Sequence, residues 1–160
     1  VEKGDEIFLS TAKGQSIRFK ESNIRPMGRT AGGVRGMKLG GGDSIVGADV
    51  VPKGAKGLEV LVVSKNGYGK TTPTSEYKVQ NRGGSGIKTM NTTPKTGNLI
   101  AAQIVNKEEG AGADEIVVVS QKGQVIRTEL KEIPSLSRST QGVRVMKLRD
   151  GDAIASFVCL

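Results

Sequence analysis

The residues of this chain best placed to do chemistry are arginines that recur in register. Arg29, Arg82 and Arg138 each stand fifteen residues after one glycine and four before another: Gly14 and Gly33, Gly67 and Gly86, Gly123 and Gly142. Arginine carries a permanent charge on a planar fork of donors that suits a carboxylate or a phosphate. Other cations keep comparable places. Arg18, Lys20 and Arg25 come before Arg29, Lys70 and Lys78 before Arg82, and Arg127 and Lys131 before Arg138. Arg35, Lys88 and Arg144 each follow two residues after the second glycine of a set. The chemistry this pattern offers is non-covalent contact with a polyanion.

Two readings of the pattern are open. In one, the cations trace a line of phosphate contacts on one rim of a repeated structure. In the other, they lie on solvated faces paired with Glu21, Glu76, Glu129 or Glu132, and the register arginines hold loops through backbone carbonyls. Exposed ion pairs contribute at most about 1 kcal/mol each, so stability alone gives no reason to keep an arginine in the same loop three times. The net charge of +8 favours a polyanionic partner. Aromatic residues are 3% of the chain, too few for a base-stacking surface, and no recognition helix is evident. The partner that fits is double-stranded DNA, contacted through its backbone without sequence preference.

Other chemistry finds little support. Without histidine the commonest general base and zinc ligand are missing. The lone Cys159 reads as a small apolar strand residue in a reduced, cytoplasmic setting. Gly69-Lys70-Thr71 resembles the end of a phosphate-binding loop, but Ser64 stands where that motif needs its first glycine, and no helix follows. Arg82-Gly83-Gly84 is a single copy of an RNA-binding element that works in many copies. Tyr68 and Tyr77 read as packing or hydrogen-bonding residues rather than nucleophiles. No catalytic constellation, metal site or cofactor site emerges. No apolar run reaches the ~20 residues that cross a bilayer, so no membrane is predicted. A chain opening on Val1 reads as a piece of something longer.

The elements that must position the cations come from the same repetition. Lys13-Gly14-Gln15-Ser16-Ile17-Arg18 returns as Lys122-Gly123-Gln124-Val125-Ile126-Arg127, and Gly33-Val34-Arg35-Gly36-Met37-Lys38-Leu39 as Gly142-Val143-Arg144-Val145-Met146-Lys147-Leu148. This predicts three units, 1–57, 58–110 and 111–160. Their charges are +4 (ten Lys/Arg against six Asp/Glu), +3 (seven against four) and +1 (seven against six). Lys-Gly and Asn-Gly between apolar runs are hairpin turns. Each unit therefore reads as four strands: Glu6–Ala12, Gln15–Lys20, Gly33–Leu39 and Ser44–Val51 in the first; Leu58–Lys65, Tyr68–Pro73, Gly86–Asn91 and Asn98–Val105 in the second; Glu115–Gln121, Gln124–Leu130, Gly142–Leu148 and Ala153–Val158 in the third. Val62-Val63 and Val117-Val118-Val119 are continuously apolar and predict buried inner strands. With 23 glycines and no 3.6-residue period, helix is not expected. Small Val/Ile/Leu cores require each unit to be covered by its neighbours.

These residues resemble a known family, the C-terminal domains of DNA gyrase A and of its counterpart in topoisomerase IV. The likeness is carried by Ile17-Arg18-Phe19, Met27-Gly28-Arg29, Gly33-Val34-Arg35-Gly36, Asn66-Gly67-Tyr68-Gly69-Lys70-Thr71, Gly86-Ile87-Lys88 and Thr140-Gln141-Gly142-Val143. It implies an all-β, propeller-like β-pinwheel of about six blades, of which these units resemble the last three; three blades form an arc, whose open edge strands invite pairing between copies. It also implies DNA bending and wrapping in a bacterial, nucleoid-associated enzyme, with the rest of gyrase A and gyrase B as partners. Strand cleavage and ATP hydrolysis fall elsewhere in that enzyme, and no cofactor is implied here. Gyrase carries a basic box, Gln-Arg-Arg-Gly-Gly-Lys-Gly, in its first blade. Here Gln80-Asn81-Arg82-Gly83-Gly84-Ser85-Gly86 has Asn81 and Ser85 in place of an arginine and the lysine, so it resembles a degenerate copy. Gyrase, topoisomerase IV and a protein-interaction scaffold remain the alternatives, with gyrase preferred on the unit-two turn and strands.

Overall fold

Each unit begins with a hairpin whose turn needs a backbone conformation that side chains resist. Gly14, Gly67 and Gly123 have φ of 85°, 86° and 85°, in the left-handed region that glycine enters without penalty. The computed structural model describes residues Val1–Leu160. Its strands are β1 (Glu6–Thr11), β2 (Gln15–Lys20), β3 (Ile45–Val51), β4 (Leu58–Ser64), β5 (Tyr68–Pro73), β6 (Val79–Gln80), β7 (Ile87–Lys88), β8 (Leu99–Asn106), β9 (Glu115–Ser120), β10 (Val125–Glu129), β11 (Val143–Arg144) and β12 (Ile154–Cys159). The only helical segments are three single 3₁₀ turns, Glu21–Asn23, Thr74–Glu76 and Leu130–Glu132, one after each hairpin. No helix is long and apolar enough to cross a membrane.

The three sheets share one plan. The last strand of a unit pairs antiparallel with its first, and the first with its second, giving β3-β1-β2, β8-β4-β5 and β12-β9-β10. The third strand does not join its own unit. β7 pairs with β2, with Ser16 opposite Ile87, and β11 pairs with β5, with Gly69 opposite Val143. Each of the first two sheets is therefore completed by the unit that follows it, and the predicted third strands shrink to two residues apiece. Gly33–Leu39, which has no preceding unit in the chain to pair with, forms no strand. β10 has no strand partner on the edge away from β9.

The central strand shows how the units depend on one another. In β4, Val60, Leu61, Val62 and Val63 are all at most 1% exposed. Alternation sends Val60 and Val62 into a cluster with Phe8, Tyr77 and Met90, and Leu61 and Val63 into another with Ile116, Val118 and Met146. Burial of each such side chain contributes about 1.5–3 kcal/mol. Strand β9 is covered on one face only. Ile116 and Val118 are buried, whereas Val117 and Val119 are half-buried, so the expected continuous burial of Val117-Val118-Val119 is not found. Strand β8 packs against both β3 and β12. The last strands thus gather on the inner side of an open row, and β7 and β11 lie at the opposite, outer ends of their sheets.

Candidate nucleic-acid interface

The outer ends of the sheets carry the cations, but not all of them are free. After its 3₁₀ turn, each of the second and third units runs along the preceding unit's second strand before β7 or β11 pairs with it. β6 lies parallel to β2, with Arg18 opposite Val79, and Ser135 bridges in parallel to Thr71 of β5. The register arginines sit in these clasping loops. Arg82 donates through Nε to the carbonyl of Asn23 at 2.8 Å and through a terminal nitrogen to that of Arg35 at 3.1 Å. Arg138 donates to the carbonyl of Lys88 at 2.9 Å. Arg35 and Lys88 hold the same place in their units, so this is one latch built twice. For Arg82 and Arg138 the geometry is the loop-holding alternative. Arg29 is exposed and makes no hydrogen bond or ion pair. The box-like segment takes part in the same clasp: Gly83 N donates to Gly36 O at 2.6 Å, and Lys38 N to Gly84 O at 2.8 Å.

Further predicted contacts are engaged within the protein. Lys70 is corrected outright: it is 0% exposed and cannot meet an exposed phosphate. It occupies the register of Ile17 and Ile126, facing inward, and its Nζ donates to Ser137 O at 2.5 Å, Arg138 O at 2.8 Å and Thr140 Oγ1 at 2.9 Å. Burial pushes its pKa down to about 8. Arg18 pairs with Glu6 and donates to Thr74 O at 2.9 Å, tying unit one to unit two. Arg127 repeats the pairing with Glu115 but stays 64% exposed. Lys131 pairs with Glu129 at 2.7 Å, as the ion-pair reading expects.

Six cations remain exposed with no side-chain partner: Lys20, Arg25, Arg29, Arg35, Lys78 and Lys88. They come from the second strand, the following loop and the third-strand position of units one and two. Arg144, in the same place in unit three, leans on Tyr68 with a hydrogen bond of 3.2 Å to its hydroxyl. Tyr77 packs edge to face on Phe8 at 5.0 Å, and burial pushes its phenol up to about 12, so it is a core residue. Sequence reasoning missed Lys95, Lys147 and Arg149, which gather with Arg144 around Tyr68. Lys147 carried a signal, since it repeats Lys38 after a buried methionine. No three of the His, Cys, Asp and Glu residues are placed to hold a metal ion.

The register arginines should therefore separate in experiment. Arg82→Ala and Arg138→Ala are each expected to lower unfolding stability by about 1–2 kcal/mol, because each leaves a carbonyl without its charged donor. Arg29→Ala should leave stability within about 0.5 kcal/mol. Urea denaturation of the three variants checks this, and equal stabilities would contradict the latch.

Comparison with known proteins fits this geometry. Residues 5–52, 58–106 and 114–160 match the family described as DNA gyrase C-terminal domain, beta-propeller. Over 152 residues, 95% of the chain, it is 45% identical to the DNA gyrase A protein of Staphylococcus epidermidis and 41% identical to that of Staphylococcus aureus. The chain spans 16% of the length of these relatives. A solved structure of a DNA gyrase A C-terminal domain superposes with a TM-score of 0.84 at 29% identity, covering 98% of this chain and 51% of that one. The C-terminal domain of a DNA topoisomerase IV superposes with a TM-score of 0.86 at 22% identity, covering 98% and 46%, a likeness of fold.

Proposed function

The chain belongs to the DNA gyrase C-terminal domain family, and from that premise we propose that it binds and bends duplex DNA through backbone phosphates as part of a bacterial type IIA topoisomerase. The reading rests on one observation above others: six cations without partners on the outer side of units one and two, where a duplex following the arc would meet them in turn. Lys20, Arg25, Arg29, Arg35, Lys78 and Lys88 are the assigned phosphate contacts, with Arg127 contributing from unit three. Arg82, Arg138 and Lys70 shape the loops that carry the contacts. In the full-length enzyme the bent duplex would be presented for strand passage, giving negative supercoiling. Cleavage, ATP turnover and the docking of gyrase B are assigned to other regions of that enzyme, and its setting to the bacterial cytoplasm.

Each phosphate neutralised by a cation adds about 0.9 to the magnitude of the log–log salt slope of binding. The triple variant Lys20→Ala, Arg25→Ala, Arg29→Ala should therefore reduce the slope on linear duplex by about two to three units, equally on unrelated sequences. Gel retardation or fluorescence anisotropy across a salt series measures it. Absence of retardation of linear duplex at low salt by the unmodified chain would overturn the reading in favour of a protein-interaction scaffold.

A further inference from the structure

The junction of units two and three contains a basic concavity that the line of six cations does not include. It has a volume of about 470 Å³ and lies between the Asn66-Gly67 turn, the loop at Lys95 and the segment from Arg144 to Asp152. Tyr68 forms part of its lining and is only 8% exposed. Lys95 Nζ stands 5.5 Å from the centre of the Tyr68 ring, and the Arg144 guanidinium 5.7 Å from it. Lys147 and Arg149 line the same space.

The charge here is not balanced from within. None of the four cations takes part in an ion pair. Asp150 and Asp152 are the acids of the lining, and the Asp152 carboxylate is already engaged, accepting from Ser120 Oγ at 2.6 Å, Lys122 N at 3.0 Å and Ala153 N at 2.8 Å. A cation over an exposed aromatic face gains about 0.5–1 kcal/mol, which offsets part of the repulsion between two like charges sharing one ring but supplies no counter-charge. The Tyr68 phenol registers the excess: the hydrogen bond from Arg144 holds its pKa below the ordinary value against burial, with the charges of Arg144 and Lys95 adding to the effect. Four cations against the carboxylates of Asp150 and Asp152 leave an excess of two positive charges around a small open concavity, which suits a tetrahedral oxyanion.

We propose that this junction is a phosphate subsite, in which Lys95, Arg144, Lys147 and Arg149 hold a backbone phosphate of the duplex against the Tyr68 hydroxyl edge. This rests on the duplex-binding reading and extends it. The concavity lies beside β11, at the outer end of the central sheet, so a duplex leaving the cations of units one and two meets it next. The site exists only where two units join, because unit two supplies Tyr68 and Lys95 and unit three supplies the other cations.

The test compares two triple variants of the whole chain. Lys95→Ala, Lys147→Ala, Arg149→Ala removes the subsite. Lys3→Ala, Lys53→Ala, Lys56→Ala removes equal charge from exposed positions of unit one. All six side chains are exposed and none forms an ion pair, so melting should change little in either variant. Losing the one phosphate held at the subsite is expected to lower the salt slope on linear duplex by about 0.9, whereas the control should leave it at the parent value. A parent that fails to bind duplex sinks the duplex-binding reading itself. A parent that binds, with equal slopes in the two variants, sinks the subsite alone. Calorimetric titration with inorganic phosphate separates the two sources of the anion. Phosphate binding lost in the subsite variant while its duplex slope stays at the parent value would make this a free-anion site and overturn the proposal.

Discussion

Truncating Lys70 to alanine is expected to lower unfolding stability by about 3 kcal/mol while leaving the salt slope of duplex binding unchanged. The three methylenes lost are buried and contribute about 0.8 kcal/mol each. Ser137 O and Arg138 O lose their donor, at about 1–3 kcal/mol for each carbonyl that stays buried without another. Release of a desolvated ammonium returns part of this, and the net remains a loss. For a chain of this size it corresponds to a fall in melting temperature of about 6–12 °C. Lys70→Met keeps the apolar stem and loses only the hydrogen bonds, so its melting temperature should fall between those of alanine and the parent.

Lys70 also leaves a signature in pH. Its pKa is pushed down from 10.5 to about 8 by burial, with the Arg138 charge adding and the Glu76 charge opposing. Between those two values the unfolded chain holds a proton that the folded chain has released. Stability contributed by this group therefore rises as pH increases from about 8 to 10.5. The difference in stability between parent and Lys70→Met isolates the effect from other groups titrating there, and it should grow in the parent's favour across that window. An alanine variant that melts with the parent but loses salt slope would return Lys70 to the phosphate contacts.

The second large effect is a contrast between two glycines of the same conformation. Gly67 and Gly123 have φ of 86° and 85°, so an alanine at either incurs the same conformational cost, about 1–2 kcal/mol. Their surroundings differ. A Cβ on Gly67 would lie 2.3 Å from Met146 O, whereas nothing lies within 4 Å of a Cβ on Gly123. The Gly67 turn is gripped by unit three, with Val145 N donating to Gly67 O at 2.8 Å, so the carbonyl that meets the new Cβ belongs to backbone held in place. Gly67→Ala should therefore cost at least about 3 kcal/mol, against about 1–2 kcal/mol for Gly123→Ala. Gly14→Ala should follow Gly67, since its Cβ would lie 2.4 Å from Met90 O. Thermal or urea unfolding of the three variants decides it. Equal losses at Gly67 and Gly123 would mean that the turn alone, and not the grip of the next unit, demands glycine.

Features that depend on neighbours along the chain were legible in the residues alone. The hairpins follow from Lys-Gly and Asn-Gly turns, whose φ requirement is local. The absence of long helices follows from glycine content and period, and the two-faced burial of β4 from its unbroken apolar run. The residues quoted for the family likeness fall in the matched segments. How one unit meets the next was settled by the folded arrangement and by nothing shorter. Two-residue strands such as β7 and β11 carry no signal of which second strand they will join. Lys70 reads as a surface lysine until its position on β5 is seen to be the inward register held elsewhere by Ile17 and Ile126. Arg82, Arg138 and Arg29 share one place in the repeat, yet the first two find a carbonyl of a preceding unit and the third does not. Tyr68 and Lys95 meet Arg144, Lys147 and Arg149 across a junction that no segment contains alone. A hydrogen-bonding cation takes its role from the acceptors that the fold brings within reach, and in a repeat those acceptors belong to the neighbouring unit.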